Sequence, residues 1–153
     1  MTEPGVSILV IEDDAVALRL FQEILAAQGY DVRVAADAES GLREIARAAP
    51  AAVLLDLRLP LADGVALLRA LRAGKCADLP VAIMTGDYLV DDRVVRDIEA
   101  LGARVHFKPL FEDDLRQVVS GLLRRARDPD QNQTDRCEVR AAASRPNPGR
   151  HLS

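Results

Sequence analysis

The feature of this sequence that most limits its possible folds is a strict alternation of strand-type and helix-type patterns over the first 126 residues. Short apolar runs alternate with longer segments in which apolar residues recur every three or four positions. The strand-type runs are 6–11, 30–35, 52–56, 79–85 and 103–107. The helix-type segments are 14–28, 38–48, 64–72, 91–101 and 111–125. Because parallel strands need a crossover connection, this alternation predicts an α/β fold, a doubly wound five-stranded parallel sheet with helices on both faces.

Glycines mark the predicted ends of two helices. Gly29 follows the first helical segment and Gly102 follows the fourth. Glycine is favoured just after a helix because it adopts the left-handed backbone conformation without a steric penalty. Both positions are therefore predicted to stop their helices.

The composition changes after Ala126. Residues 127–153 contain three prolines, one valine, one leucine and no aromatic residue. Such a segment cannot bury enough apolar surface to offset the entropy lost on ordering, so it is predicted to be a disordered tail. The chain is thus divided into a short N-terminal extension (1–5), one folded domain (6–126) and the tail (127–153). Composition leaves open whether Ser153 is the natural C-terminus.

The overall charge and the cysteine usage exclude several classes of protein. The formal net charge of -4 argues against direct binding to nucleic acid or to an anionic membrane surface. No apolar run approaches the roughly 20 residues that span a bilayer, and residues 1–5 lack the features of an export signal. Cys76 and Cys137 fit neither a disulfide scaffold nor a metal motif, which favours a cytoplasmic location.

Polar residues stand at the ends of four predicted strands. Glu12 and Asp13 follow the first strand, Asp56 closes the third, Thr85 closes the fourth and Lys108 follows the fifth. The carboxyl ends of parallel strands open onto one edge of a sheet, where α/β proteins bind their ligands. We therefore expect these side chains to converge.

Carboxylates gathered at one site repel one another unless a cation neutralises them, and oxygen ligands suit a hard cation such as Mg²⁺. A lysine and a threonine beside them could neutralise and hydrogen-bond the oxygens of a phosphoryl group. Asp56 would then be the nucleophile that attacks phosphorus and becomes an aspartyl phosphate.

Each of these residues also has a purely structural interpretation. The Glu12–Asp14 triplet could supply the N-cap and first-turn charge of the next helix, and Asp14 in particular is more readily a cap than a ligand. Thr85 and Lys108, taken singly, are ordinary strand-end and loop residues. What favours a functional site is that such polar residues lie at the ends of four different strands.

Four segments have a recognisable family pattern: 8–14 (ILVIEDD), 54–64 (LLDLRLPLADG), 83–86 (IMTG) and 102–109 (GARVHFKP). Together they resemble the receiver domain of bacterial two-component response regulators, of the stand-alone single-domain type. The resemblance covers roughly residues 6–126. It implies a sheet of strand order 2-1-3-4-5 and a function in phosphorelay signal transduction.

The resemblance also assigns a role to each matching residue, with Mg²⁺ as cofactor. The implied assignments are Asp56 as phosphoacceptor and metal ligand, Asp13 as direct metal ligand, Glu12 as ligand through water, the Arg58 backbone carbonyl as a further ligand, and Thr85 and Lys108 as binders of the phosphoryl oxygens. Many relatives have a cis Lys–Pro peptide at the position of Lys108–Pro109.

One position departs from the family pattern. Many relatives have, three residues before the lysine, an aromatic side chain that turns inward on phosphorylation. Here that switch position is Val105. The aromatic toggle is therefore in doubt, whereas the phosphoryl chemistry is not.

Two further residues are predicted to tune the lifetime of the phosphoryl group. Arg58 lies two residues after Asp56, and Asp87 lies two residues after Thr85. Their opposite charges could bridge the mouth of the site and obstruct a hydrolytic water. The alternative, that both side chains are solvated and independent, stays open because exposed ion pairs are weak.

The leading functional hypothesis is a signalling module rather than an enzyme with independent turnover. A phosphohistidine on a sensor histidine kinase or histidine phosphotransferase would donate its phosphoryl group to Asp56. The phosphorylated surface would then bind a target protein, which the sequence does not identify. The resemblance leaves open a homodimer through the face of the fourth helix, fifth strand and fifth helix.

The same residues bear on three alternative functions. A phosphohydrolase of the haloacid-dehalogenase type needs an acid two residues after the nucleophile, where this chain has Arg58. A nucleotide-binding Rossmann module needs glycines in the first strand–helix turn, where this chain is acidic. An N-terminal receiver fragment of a longer transcription regulator stays open.

Overall fold

The structure, a computed structural model, describes residues 5–126. The expectations for residues 1–4 and for the tail lie outside the described residues. The elements in chain order are β1 (Ser7–Ile11), α1 (Ala15–Ala27), β2 (Asp31–Ala35), α2 (Ala38–Arg47), β3 (Ala52–Asp56), α3 (Gly64–Ala73), β4 (Val81–Thr85), α4 (Asp92–Ala100), β5 (Arg104–Phe107) and α5 (Glu112–Ala126). None of the helices within residues 5–126 is long and apolar enough to cross a membrane.

The sheet has the order β2-β1-β3-β4-β5 with every neighbouring pair parallel, which confirms the expected fold class and strand order. From β1 the chain first adds β2 on one side and then crosses to place β3 on the other. The order therefore reverses between β1 and β3. In an open parallel sheet this reversal leaves a crevice at the carboxyl ends of the two strands, where ligands bind.

Alternate residues of the central strands enter two separate cores, one on each face of the sheet. The face covered by α2, α3 and α4 buries Leu9, Ile11, Val53, Leu55 and Ile83 with Ile45, Leu68 and Ile98. The face covered by α1 and α5 buries Ile8, Val10, Leu54 and Met84 with Phe21, Leu25, Leu115 and Val119. Every residue of β3 and β4 is buried, so the ends of these strands are firmly placed by packing on both sides.

Aspartates begin four of the helices and glycines follow two of them. The side chains of Asp14, Asp37, Asp63 and Asp91 each accept a hydrogen bond from a backbone N–H in the first turn of α1, α2, α3 and α4. Asp14 is thus a helix cap, as expected. Gly29 and Gly102 have φ values of 97° and 77°, which confirms them as the residues where the chain leaves α1 and α4.

Gly64, the first residue of α3, lets the loop after β3 fold back closely onto the end of that strand. A Cβ atom at this position would lie 2.7 Å from the backbone oxygen of Asp56 and 3.0 Å from Cα of Leu57. The Gly64 N–H donates to the Leu57 carbonyl at 2.8 Å. Between them the loop turns through Leu61, whose φ of 67° is the one positive value at a non-glycine residue in the described chain.

We predict that Gly64→Ala lowers the free energy of unfolding by about 2 kcal/mol, because the added methyl group meets main-chain atoms that cannot move aside cheaply. The matched control is Gly121→Ala in α5, where a Cβ would have nothing within 4 Å. The control should gain about 0.5–1 kcal/mol from better helix propensity. Urea unfolding of both variants measures the difference, and equal stability of the two would contradict the close approach at Gly64.

Candidate functional site

The crevice at the carboxyl edge of the sheet brings together the five strand-end residues singled out from the sequence. Glu12 and Asp13 follow β1, Asp56 is the last residue of β3, Thr85 is the last residue of β4, and Lys108 follows β5. They meet because all five strands run in the same direction and end at this edge.

Three carboxylates form the acidic part of the site. Glu12, Asp13 and Asp56 each offer an oxygen, and these three oxygens all lie within 4.8 Å of one another. Glu12 and Asp56 are 1% and 4% exposed, whereas Asp13 is exposed to solvent. A set of carboxylate oxygens open to solvent on one side fits a hard divalent cation that keeps some of its water.

The ammonium group of Lys108 lies against the two buried acids. Its Nζ is 2.6 Å from Oε2 of Glu12 and 3.6 Å from Oδ2 of Asp56. A cation at this distance offsets part of the cost of removing the two carboxylates from water. Lys108 is held in turn by its own backbone, since its N–H donates to the Thr85 carbonyl at 2.8 Å. The Lys108–Pro109 peptide is cis, as expected.

Burial raises the pKa of Glu12 to about 7. The hydrogen bond from Lys108 opposes this rise, and the negative charge of Asp56 adds to it. Glu12 also accepts a hydrogen bond at Oε1 from the backbone N–H of Asp14, at 3.3 Å. A second positive charge near these acids would favour the ionised form of Glu12 and lower its pKa.

The two oxygens of Asp56 have different surroundings. Oδ1 accepts a hydrogen bond from the Arg58 backbone N–H at 3.2 Å, and Oδ2 faces Lys108. The residue after it, Leu57, donates its N–H to the Met84 carbonyl of β4 at 2.8 Å. The carboxylate therefore has a defined orientation on a rigid strand end.

Thr85 is fully buried at the end of β4. Its Oγ1 accepts a hydrogen bond from the Asp87 N–H at 3.0 Å. A hydroxyl group that accepts a hydrogen bond still has its own proton to donate. The side chain is thus oriented by the following loop and keeps a proton to donate.

Arg58 and Asp87 form an ion pair between the loops that follow β3 and β4. Nη2 of Arg58 donates to Oδ2 of Asp87, and Oδ1 of Asp87 accepts from the Leu89 N–H at 2.9 Å. The Leu89 hydrogen bond and the Arg58 contact lower the pKa of Asp87, in that order. The structure therefore brings the two residues together beside the site, whereas their effect on phosphoryl lifetime stays a prediction.

Val105 is half-buried on β5. It is paired with Ile83 of β4 and packs on the core beneath α2, α3 and α4. This is the packing of an ordinary strand residue. Its role as a switch position stays a prediction.

An aromatic pair beside Lys108 was missed from the sequence. The rings of Tyr88 and Phe107 stack with centroids 5.4 Å apart and planes 13° apart, and the Tyr88 hydroxyl donates to the Lys108 carbonyl. The sequence does contain a signal, because aromatic residues are rare, with two tyrosines and three phenylalanines in all. Tyr88 lies three residues after Thr85, and Phe107 directly precedes Lys108. Their contact joins the loop after β4 to the end of β5, which no local pattern predicts.

Comparisons with known proteins agree with this architecture. The chain matches the family model of the response regulator receiver domain over residues 8–120. It is 36% identical over 126 residues to the transcriptional regulatory protein PrrA of Mycobacterium leprae, covering 80% of this chain and 53% of that protein. It is 34% identical over 126 residues to the response regulator MprA of Mycobacterium tuberculosis, covering 82% and 54%. A response regulator receiver domain protein of Clostridium thermocellum superposes with a TM-score of 0.73 and 25% identity, over 80% of this chain and 97% of that one.

The sheet order and the acids at its switch point are those of a receiver domain. The chain belongs to the response regulator receiver domain family and is a module of two-component phosphorelay signalling. It spans about half the length of the curated relatives it matches.

Proposed function

We propose that Asp56 is the phosphoacceptor of this receiver domain and that it takes a phosphoryl group from a phosphohistidine with Mg²⁺ as cofactor. The observation that supports this most directly is the setting of the Asp56 carboxylate: it is buried at a strand end, one oxygen is held by the Arg58 N–H, and the other faces an ammonium group. Such a carboxylate is fixed in orientation before a donor arrives, which lowers the entropic cost of reaching an in-line geometry.

In the proposed step an oxygen of Asp56 attacks phosphorus, an O–P bond forms, and the P–N bond to the donor imidazole breaks. The imidazole leaves with the electron pair of that bond, and the phosphoryl group becomes an acyl phosphate. Lys108 neutralises charge on the phosphoryl oxygens, and the Thr85 hydroxyl donates a hydrogen bond to one of them. Nζ of Lys108 lies 3.6 Å from the Asp56 carboxylate, and Thr85 ends β4, the strand that pairs with β3.

Asp13, Asp56 and the backbone carbonyl of Arg58 would hold the Mg²⁺, and Glu12 would act on it through water. The donor set supports this assignment, because all of these ligands are oxygens and one side of the cluster is open to solvent. When bound, the ion supplies positive charge that stabilises the phosphoryl oxygens in the transition state.

Around this centre we propose a receiver module at residues 6–126 that acts in a bacterial cytoplasm. Its partners are a sensor histidine kinase or histidine phosphotransferase on the input side and a target protein on the output side. We propose protein contact rather than direct nucleic-acid binding as its output, and no turnover beyond loss of its own phosphoryl group.

Asp56→Asn is expected to abolish phosphorylation both by a phosphohistidine donor and by acetyl phosphate, because the amide lacks the anionic oxygen that attacks phosphorus. The matched control is Asp63→Asn, since asparagine can replace aspartate as the cap of α3. Radiolabelled phosphate on the purified protein, with mass spectrometry to locate it, measures the outcome. Labelling of Asp56→Asn at the wild-type rate would remove Asp56 as the acceptor.

Mg²⁺ should raise the unfolding temperature of the wild-type protein, because it relieves carboxylate repulsion that exists only in the folded state. At a free Mg²⁺ concentration 100 times the Kd the stabilisation is about 2.7 kcal/mol. Asp13→Asn should lose most of this gain, whereas the adjacent Asp14→Asn, which keeps a helix cap, should retain it. Thermal unfolding over a Mg²⁺ titration distinguishes the two, and equal gains in both variants would mean that Asp13 is not a ligand.

The Arg58–Asp87 ion pair should slow hydrolysis of phospho-Asp56 by partly closing the approach of water. Arg58→Ala and Asp87→Ala are each expected to speed the decay roughly two- to five-fold, a modest effect because the Arg58 side chain is largely exposed. The double variant should decay no faster than the singles. Decay of the labelled protein after removal of the donor gives the rates, and additive effects would show that the two side chains act independently.

A further inference from the structure

The main chain of Lys108 is held from two sides by one short segment, Thr85–Tyr88. On one side the Lys108 N–H donates to the Thr85 carbonyl at 2.8 Å. On the other side the Lys108 carbonyl accepts a hydrogen bond from the Tyr88 hydroxyl. β5 ends at Phe107, so at Lys108 the chain has already left the regular pairing of the sheet. These two hydrogen bonds therefore hold the Lys108 main chain beyond the end of the strand pairing.

The ring of Tyr88 is fixed by contact rather than by burial. Tyr88 is 66% exposed and Phe107 is 42% exposed, yet their rings are stacked with centroids 5.4 Å apart. A stacked aromatic pair restricts the ring direction, and here that direction places the phenolic hydroxyl on the Lys108 carbonyl. Two large rings at the surface are not accounted for by either core of the domain, whereas their contact with Lys108 accounts for both.

The position of the Lys108 main chain sets where its ammonium group can reach. Nζ lies 2.6 Å from Glu12 and 3.6 Å from Asp56, and the side chain is 22% exposed, so one side of it is open to solvent. A shift of the backbone would let the flexible side chain stay on Glu12, the nearer acid, and move away from Asp56. The hydrogen bond that fixes the Lys108 carbonyl therefore favours the geometry in which the ammonium group also faces Asp56.

We propose that Tyr88 is a positioning residue for Lys108 in phosphoryl transfer to Asp56, with Phe107 orienting its ring. This rests on the proposed function of Asp56 and extends it to a contact outside the acidic cluster. Tyr88 does not touch the phosphoryl group; it acts through the backbone of the lysine. The segment that supplies Thr85 also places Lys108, so the two phosphoryl-binding side chains are positioned as one unit.

The test is the rate of Asp56 phosphorylation by acetyl phosphate at saturating Mg²⁺ in Tyr88→Phe, which removes only the hydroxyl and keeps the stacked ring. Loss of one hydrogen bond to the lysine backbone is expected to slow labelling about five-fold. Tyr30→Phe, at the other tyrosine of the chain, is the matched control and should label at the wild-type rate. A Tyr88→Phe rate equal to that of wild type would overturn the proposal. Absence of labelling in the wild-type protein would instead overturn the proposed function.

A second measurement separates positioning of Lys108 from a general structural role. The chain has two lysines, Lys75 and Lys108, so lysine labelled with ¹³C at Cε gives two NMR signals. In Tyr88→Phe the Lys108 signal should move and the Lys75 signal should stay in place. An unmoved Lys108 signal, or equal movement of both, would overturn the proposal.

A double-mutant cycle gives a third result. If Tyr88 acts through the lysine, Tyr88→Phe should slow labelling in the wild-type background and change nothing further in the Lys108→Ala background. The same five-fold loss in both backgrounds would show that Tyr88 acts elsewhere. If phosphorylation of the Lys108→Ala variant is too slow to measure, the lysine NMR signals described above test the proposal instead.

Discussion

The site depends on one electrostatic contact, between the ammonium of Lys108 and two buried carboxylates. Glu12 and Asp56 are both buried, and burial raises the pKa of Glu12, so two uncompensated negative charges at this place would be unfavourable. Lys108 arrives from β5, which is not adjacent to β1 or β3 in the sheet, and is separated from Glu12 by 96 positions in the chain. The contact thus ties the two ends of the folded domain together at the place where its chemistry is proposed.

Most of the fold follows from local patterns in the sequence. The strand and helix periods predict all ten elements within a few residues, because β3 and β4 are apolar up to their last residue and the helices are apolar on one side. The alternation of strands and helices implies a parallel sheet, in which the carboxyl ends of all strands share one edge. Asp56, Thr85 and Lys108 could therefore be grouped from the sequence. The strand order came from the family resemblance, because periodicity alone does not determine which strands pair with each other.

The details of the site were harder to predict, for physical reasons that differ from residue to residue. Glu12 and Asp13 are adjacent acids of similar chemistry, yet one is buried against Lys108 and the other is exposed, a difference set by how the chain turns after β1. The Arg58–Asp87 pair could be guessed from equal offsets after two neighbouring strands. The Tyr88–Phe107 stack could not be predicted, because it depends on how the loop after β4 lies against the end of β5 rather than on any sequence period.

The same stack gives the protein a spectroscopic property. The chain has no tryptophan and two tyrosines, so its near-ultraviolet emission comes from two phenols. Tyr30 packs on the core beneath α1 and α5, whereas Tyr88 lies on the main chain of the lysine that borders the acceptor. The total emission therefore contains one contribution from the carboxyl edge of the sheet and one from the core, without any label being added.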